Sequence, residues 1–311
     1  MPAMDFEPEL HFTHAQLLTT GLNHHDIATQ IRQGTLTRVR RGFYAPTLEL
    51  DPQQEHLRLL HATVPTVDRS HVLSHVSAGV VHGLPGPRTA LDRVTMTRRT
   101  PGHAHSSPVL RLFDTKLADD EVAEVGGLPV TTLARTASDL ARTHPYAWAV
   151  AACDAALALG LPPDSLLDAL ERHPRLRGLP QARLAAAFAD GRSQSPAESL
   201  SRVQFARHGI PAPELQLEVF DAQGKLVAQT DFAWPEFRLV GEVDGKAKYG
   251  ALLKPGQEPE DAIMREKRRE EAIRQAGYWI VRWDWELASQ GAALARRIRQ
   301  AMAWQGNVGR G

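Results

Sequence analysis

The chain has a single cysteine, Cys153, in 311 residues. That excludes an internal disulfide framework and any zinc site built from several thiolates, and it points to a reducing compartment. Cys153 falls in the alanine-rich run from Ala147 to Leu159, where a small buried hydrophobe is the expected reading. Long apolar runs are missing too, and nowhere do about eighteen such residues follow one another as a membrane-spanning helix needs. The first residues carry Asp5, Glu7 and Glu9 in place of a basic and apolar leader, so a cytoplasmic location is expected. There is no excess charge of either sign: 36 basic residues face 36 acidic ones, so any surface for nucleic acid has to be local. What is present is globular in composition, with 42% hydrophobic and 23% charged residues, and the length allows two or three domains.

The first domain is expected over residues 1–50. Thr13 with Gln16 fits a capping box, Asn23 caps a second helix with Ile27 and Ile31 on one face, and Gly34 ends it. Leu36 to Ala45 then mixes apolar residues with Arg38, Arg40 and Arg41 about a turn at Gly42, the pattern of a two-stranded wing. A helix-turn-helix with such a wing predicts DNA binding, with Arg32, Arg38, Arg40 and Arg41 as contacts.

Residues 51–190 read as mixed α and β. Helices are expected over Gln53–Pro65 and His71–Gly83, strands over 93–97, 109–113 and 122–130, and helices again from Tyr146 to Asp190. Thr132 caps a helix on which Arg135 and Asp139 share a face, a spacing expected of an ion pair on a helix surface.

The pattern changes near Gly191, and residues 191–311 form the third expected domain. Ser195-Pro196-Ala197-Glu198 opens a helix, and strands follow over 214–221, 226–233 and 238–244. Asp231 and Glu242 interrupt apolar strands, where a charge is unfavourable unless paired or bound to metal. Strand alternation puts Glu242, Asp244 and, if the strand runs that far, Lys246 on one face. Carboxylates that bind Mg²⁺ or Mn²⁺ neutralise charge on a phosphodiester and make water nucleophilic, and a lysine steadies the phosphate or the water. Two of these positions also have plainer readings: Glu198 completes a capping box with Ser195, and Asp244-Gly245 suits a turn.

The extended pattern consists of Ser-Pro-Ala-Glu-Ser at 195–199, Thr-Asp-Phe-Ala-Trp-Pro-Glu at 230–236, Gly-Glu-Val-Asp-Gly-Lys at 241–246, a helix with Glu266 and Arg269, and Gly-Tyr-Trp-Ile-Val-Arg-Trp at 277–283. It resembles the PD-(D/E)XK nuclease superfamily, in its branch similar to very short patch repair endonucleases. The resemblance implies a restriction-endonuclease-like α/β fold and Mg²⁺- or Mn²⁺-dependent DNA cleavage. It further implies Glu198 as the helix acid, Asp231 and Glu242 as metal ligands with Asp244 beside them, and Arg269 and Lys267 as phosphate contacts. One departure stands out, since Asp244 occupies the position where the family motif has its lysine and Lys246 comes two residues later. The N-terminal and middle regions, through Ser74–Pro85 and Thr131–Ala141, resemble the AbiEi family of antitoxins. That second resemblance implies a transcriptional repressor with a cognate toxin as partner, in which the nuclease-like domain binds DNA or partner without cutting.

Overall fold

Thr13 and Asn23 each end an extended stretch and start a helix. Thr13 closes β1 (Phe12–Thr13) and accepts the Gln16 N–H at 3.2 Å, opening α1 (His14–Thr19). Asn23 accepts the His25 and Asp26 N–H groups at 2.8 and 3.0 Å and opens α2 (His24–Arg32). These caps satisfy donors that the first helical turn leaves without partners. The wing follows as β2 (Leu36–Arg40) and β3 (Phe43–Pro46), antiparallel about Gly42, whose φ of +82° suits a residue without Cβ. Leu17, Ile27, Leu36 and Tyr44 form the core of this small module.

The computed structural model describes residues 7, 10–99, 107–244 and 259–308. It is an α+β protein in two units, one comprising Met1–His144 with Leu161–Leu184 and the other Pro145–Gly160 with Ala185–Gly311. After α3 (Pro52–Thr63) the first unit builds a mixed sheet in the order β6-β5-β4-β8-β7. Its strands are β4 (His71–Leu73), β5 (Val94–Arg98), β6 (Leu110–Phe113), β7 (Val122–Val125) and β8 (Leu128–Thr131). Two helices join them, α4 (His75–His82) and α5 (Leu133–Thr143). The helix expected from His71 therefore starts later: His71–Leu73 pairs with β5 and β8, and its three residues are too few to carry a strand period in the sequence. The chain then enters α6 (Tyr146–Ala158), which belongs to the second unit although its sequence reads on from the middle region, and continues as α7 (Pro163–Glu171) and α8 (Leu179–Phe188).

In the second unit, α9 (Pro196–Arg207) precedes an antiparallel meander of β9 (Glu214–Phe220), β10 (Leu226–Trp234) and β11 (Leu239–Asp244). Helix α10 (Pro259–Gln275) comes before β12 (Trp279–Asp284), parallel to β11, and α11 (Trp285–Ser289) and α12 (Gly291–Val308) complete the unit. One face of the sheet buries Phe232, Trp234, Leu239, Val243 and Trp283 with Phe205 of α9 and Leu294 and Ile298 of α12. The other buries Val219, Ala233 and Val240 with Ile273 of α10. Val240 and Val243 thus pack on opposite faces, as strand alternation requires. Gly241 lies under the Trp283 ring, where an added Cβ would stand 2.5 Å from its edge.

Arg135 and Asp139, expected on a helix surface, are 1% and 0% exposed. The Arg135 Nε donates to Asp139 at 2.9 Å, and its Nη1 donates to Glu121 Oε1 at 2.9 Å. The i, i+4 spacing is as expected; the sequence does not reveal that α4, α7 and the turn at Asp119–Glu121 pack against α5. Burial works against the charge of Arg135, but Asp139 and Glu121 outweigh it and raise its pKa. Burial likewise opposes ionisation of Asp139, yet His75, Arg135 and Arg142 hold its carboxyl below the usual range. His75 stacks on Phe113 with ring centroids 3.6 Å apart, and burial pushes its pKa down to about 4 against the pull of Asp139.

Two outcomes follow for the first unit. Asp139→Ala strands a buried guanidinium and is expected to lower stability by about 3–5 kcal/mol in urea unfolding; a loss below about 1 kcal/mol would mean that water reaches the pair. His75 takes up its proton in the unfolded chain before the folded one, so stability should fall as pH drops from 6.5 toward about 4. Unfolding midpoints measured across that window should slope in the wild type, and His75→Gln should flatten the slope.

Candidate functional site

Asp231 and Glu242 enter the second unit's sheet from adjacent antiparallel strands. The β10–β11 ladder ends at the Phe232–Gly241 pair, one residue short of both acids. By alternation they lie on the face of Ala233 and Val240, and Asp244 shares it. Where the ladder stops, the Asp231 carboxylate bridges the strands instead: its Oδ2 accepts the Val243 N–H at 2.8 Å. The sheet thus opens at the acids and is closed again by one of them.

Glu242 is 7% exposed, and a carboxylate at that depth needs compensating charge. Arg282, directly in register with it on β12, donates from Nε to Oε2 at 3.0 Å. Arg269 of α10 reaches across with Nη1 to Oε2 at 3.1 Å and with Nη2 to Oε1. Burial pushes the Glu242 pKa up, but the two guanidinium groups overcome this and hold it below the usual carboxylate range. Both arginines are in turn tied to α10: Arg282 pairs with Glu266 and Glu270, and Arg269 pairs with Glu266 and donates to the Gln229 carbonyl at 3.1 Å. The spacing of Glu266, Arg269 and Glu270 puts all three on one helical face, so α10 presents both signs of charge to the strand ends.

Glu198 lies at the start of α9 and is bound up with its own helix terminus. Its Oε1 accepts from Ser195 Oγ at 2.8 Å and its Oε2 from the Gln194 N–H at 2.9 Å, while Gln216 of β9 donates to Oε2 at 3.1 Å. Lys246 lies outside the described residues. Lys267 is exposed on α10. Among the described residues no group of three or more His, Cys, Asp or Glu is close enough to hold a metal ion.

The wing arginines divide. Arg38 and Arg41 are exposed, as is Arg32, which donates to Thr29 at 2.9 Å. Arg40 turns inward, donating to Thr66 Oγ1 at 2.8 Å and to the Ala62 carbonyl at 3.4 Å. Burial lowers its pKa accordingly.

Arg282 is the functional candidate that sequence reasoning missed. The available signal was a charge inside the apolar run Trp-Ile-Val-Arg-Trp, the same kind of interruption that marked Asp231 and Glu242.

No protein-family model matches this chain. Two proteins of Mycobacterium tuberculosis are similar to it, the uncharacterized protein Rv2248 of strain ATCC 25618 / H37Rv and the uncharacterized protein MT2308 of strain CDC 1551 / Oshkosh. Each is 28% identical over 254 residues, spanning 81% of this chain and 86% of the relative. Among solved structures, the crystal structure of the RV2827C protein from Mycobacterium tuberculosis is similar over 62% of this chain and 75% of that one, with a TM-score of 0.36 and 17% identity. No helix among the described residues is long and apolar enough to cross a membrane.

The Glu242 network has a measurable stability consequence. Glu242→Ala leaves two partly buried guanidinium groups around an empty centre and should lower stability by about 3 kcal/mol in chemical denaturation. Glu242→Gln, which fills the space and keeps an acceptor, should lose about half as much. Equal and negligible losses would show that the arginines are solvated without their carboxylate.

Proposed function

We propose that this protein acts on DNA, the N-terminal helix-turn-helix and wing contacting the duplex and the C-terminal unit carrying a metal-dependent endonuclease centre. The observation that supports the reading is the shared face of Asp231, Glu242 and Asp244 at the point where β10 and β11 part. The order of helix, three-stranded meander, helix and parallel strand suits the restriction-endonuclease-like fold that the motif resemblance implies. Carboxylate oxygens are the hard donors that Mg²⁺ or Mn²⁺ takes, so Asp231, Glu242 and Asp244 fit such an ion in kind. When bound, the ion would neutralise phosphate charge and make a water nucleophilic near neutral pH. The chain's own share is to hold that ion with these acids, to keep Glu242 ionised and oriented through Arg282, and to steady phosphate or water with Lys246. Glu198 is held against β9 by Gln216.

A second reading is favoured by one observation, that both oxygens of Glu242 are engaged by arginines. In it the protein is a DNA-bound regulator of the AbiEi antitoxin type, with a cognate toxin as partner and no cleavage.

Incubation of supercoiled plasmid and single-stranded DNA with Mg²⁺ or Mn²⁺ separates the two. The endonuclease reading expects cleavage that falls by roughly 100-fold or more in Asp231→Ala. Intact DNA under every condition, with binding retained, would leave the regulator. For the wing, Arg38→Ala and Arg41→Ala should each weaken DNA binding and reduce the slope of log affinity against log salt by about 0.9. Arg40→Ala should lower stability instead, and an equal salt effect at all three positions would refute the division.

A further inference from the structure

The two oxygens of Glu242 are held unequally. Oε2 accepts from both Arg282 Nε and Arg269 Nη1, at 3.0 and 3.1 Å, whereas among the described residues Oε1 accepts only from Arg269 Nη2. Arg282 is anchored: it sits in β12 in register with Glu242 and is braced by Glu266 and Glu270. Arg269 sits on the helix, 30% exposed, and its other partners are Glu266, 49% exposed, and the Gln229 carbonyl. If Arg269 left, Glu242 would keep one oxygen oriented by Arg282 and would gain one open oxygen. That is the state in which a carboxylate serves a cation, one oxygen fixed from behind and the other facing the ion.

We propose that Arg269 is an exchangeable contact, which pairs with Glu242 in the DNA-free protein and passes to a DNA phosphate when the duplex binds, so that DNA and a divalent cation bind cooperatively. This rests on the metal-dependent reading of the same site. A guanidinium presents the same fork of N–H donors to phosphate and to carboxylate, so exchanging one for the other keeps its charge-assisted bonds. The carboxylate left behind is compensated by the cation, and neither ligand alone completes the arrangement. The coupling is reciprocal, as any linkage between two binding equilibria must be.

The test is Mn²⁺ binding to the full chain, followed by the electron paramagnetic resonance of the free ion, with and without a short phosphorothioate duplex and with the ion bound by DNA alone subtracted. The wild type should bind Mn²⁺ weakly by itself and about tenfold more tightly with the duplex. Arg269→Gln should bind Mn²⁺ about tenfold more tightly than wild type without DNA, and the duplex should add little. Arg269→Lys, which keeps the charge but loses the fork, should fall between them, and circular dichroism checks that each variant is folded. Arg282→Gln should not gain affinity, because it removes the group that orients the remaining oxygen. If Asp231→Asn loses Mn²⁺ while Arg269→Gln matches wild type, the exchange is overturned and the metal site survives. If no form binds Mn²⁺, or Asp231→Asn binds as the wild type does, the reading of the site falls and the exchange with it.

Discussion

A carboxylate buried at the end of a four-stranded sheet organises the C-terminal unit. Glu242 occupies a position that an apolar side chain would fill with less difficulty, and it is tolerated because guanidinium groups from a neighbouring strand and from a helix converge on it. Those arginines in turn fix where Glu266 and Glu270 point, and so which face of α10 lies against the sheet. One desolvated charge therefore sets the orientation of a helix, a strand and the acids around it.

The first unit uses the same physics for a different end. Arg135, Asp139 and Glu121 compensate one another inside a packed layer, with His75 kept neutral against Phe113. The donors of Arg135 are spent on protein acceptors. The two clusters look alike in sequence, since each contains an acid and an arginine on one helical face. They differ in whether the surrounding backbone closes over them or parts.

Much of the fold was legible in the chain. Caps at Thr13, Asn23 and Ser195, glycines at turns, and alternation along 214–220, 226–234 and 239–244 report local energetics that each segment satisfies by itself. The strand at His71–Leu73 and the burial of Arg135 were not legible, because both depend on partners distant in the sequence. At the candidate site, Asp231 and Glu242 announced themselves as charges in apolar strands, and the shared face followed from the period of two. Arg282 carries the same signal, but the carboxylate that gives it meaning lies on another strand, far away in the sequence. That Arg40 turns inward while Arg38 and Arg41 do not reflects the placement of Ala62 and Thr66, which no spacing within the wing encodes.

Gly241 lies flat beneath the indole of Trp283, and a methyl group there would overlap the ring. The ring lies over β11 on the face opposite the one where Glu242 and Arg282 meet in register. Positions 241 and 283 are therefore bound to change together: a larger residue at the first demands a smaller one at the second. Among homologues, an alanine or serine at 241 would be accompanied by loss of the tryptophan.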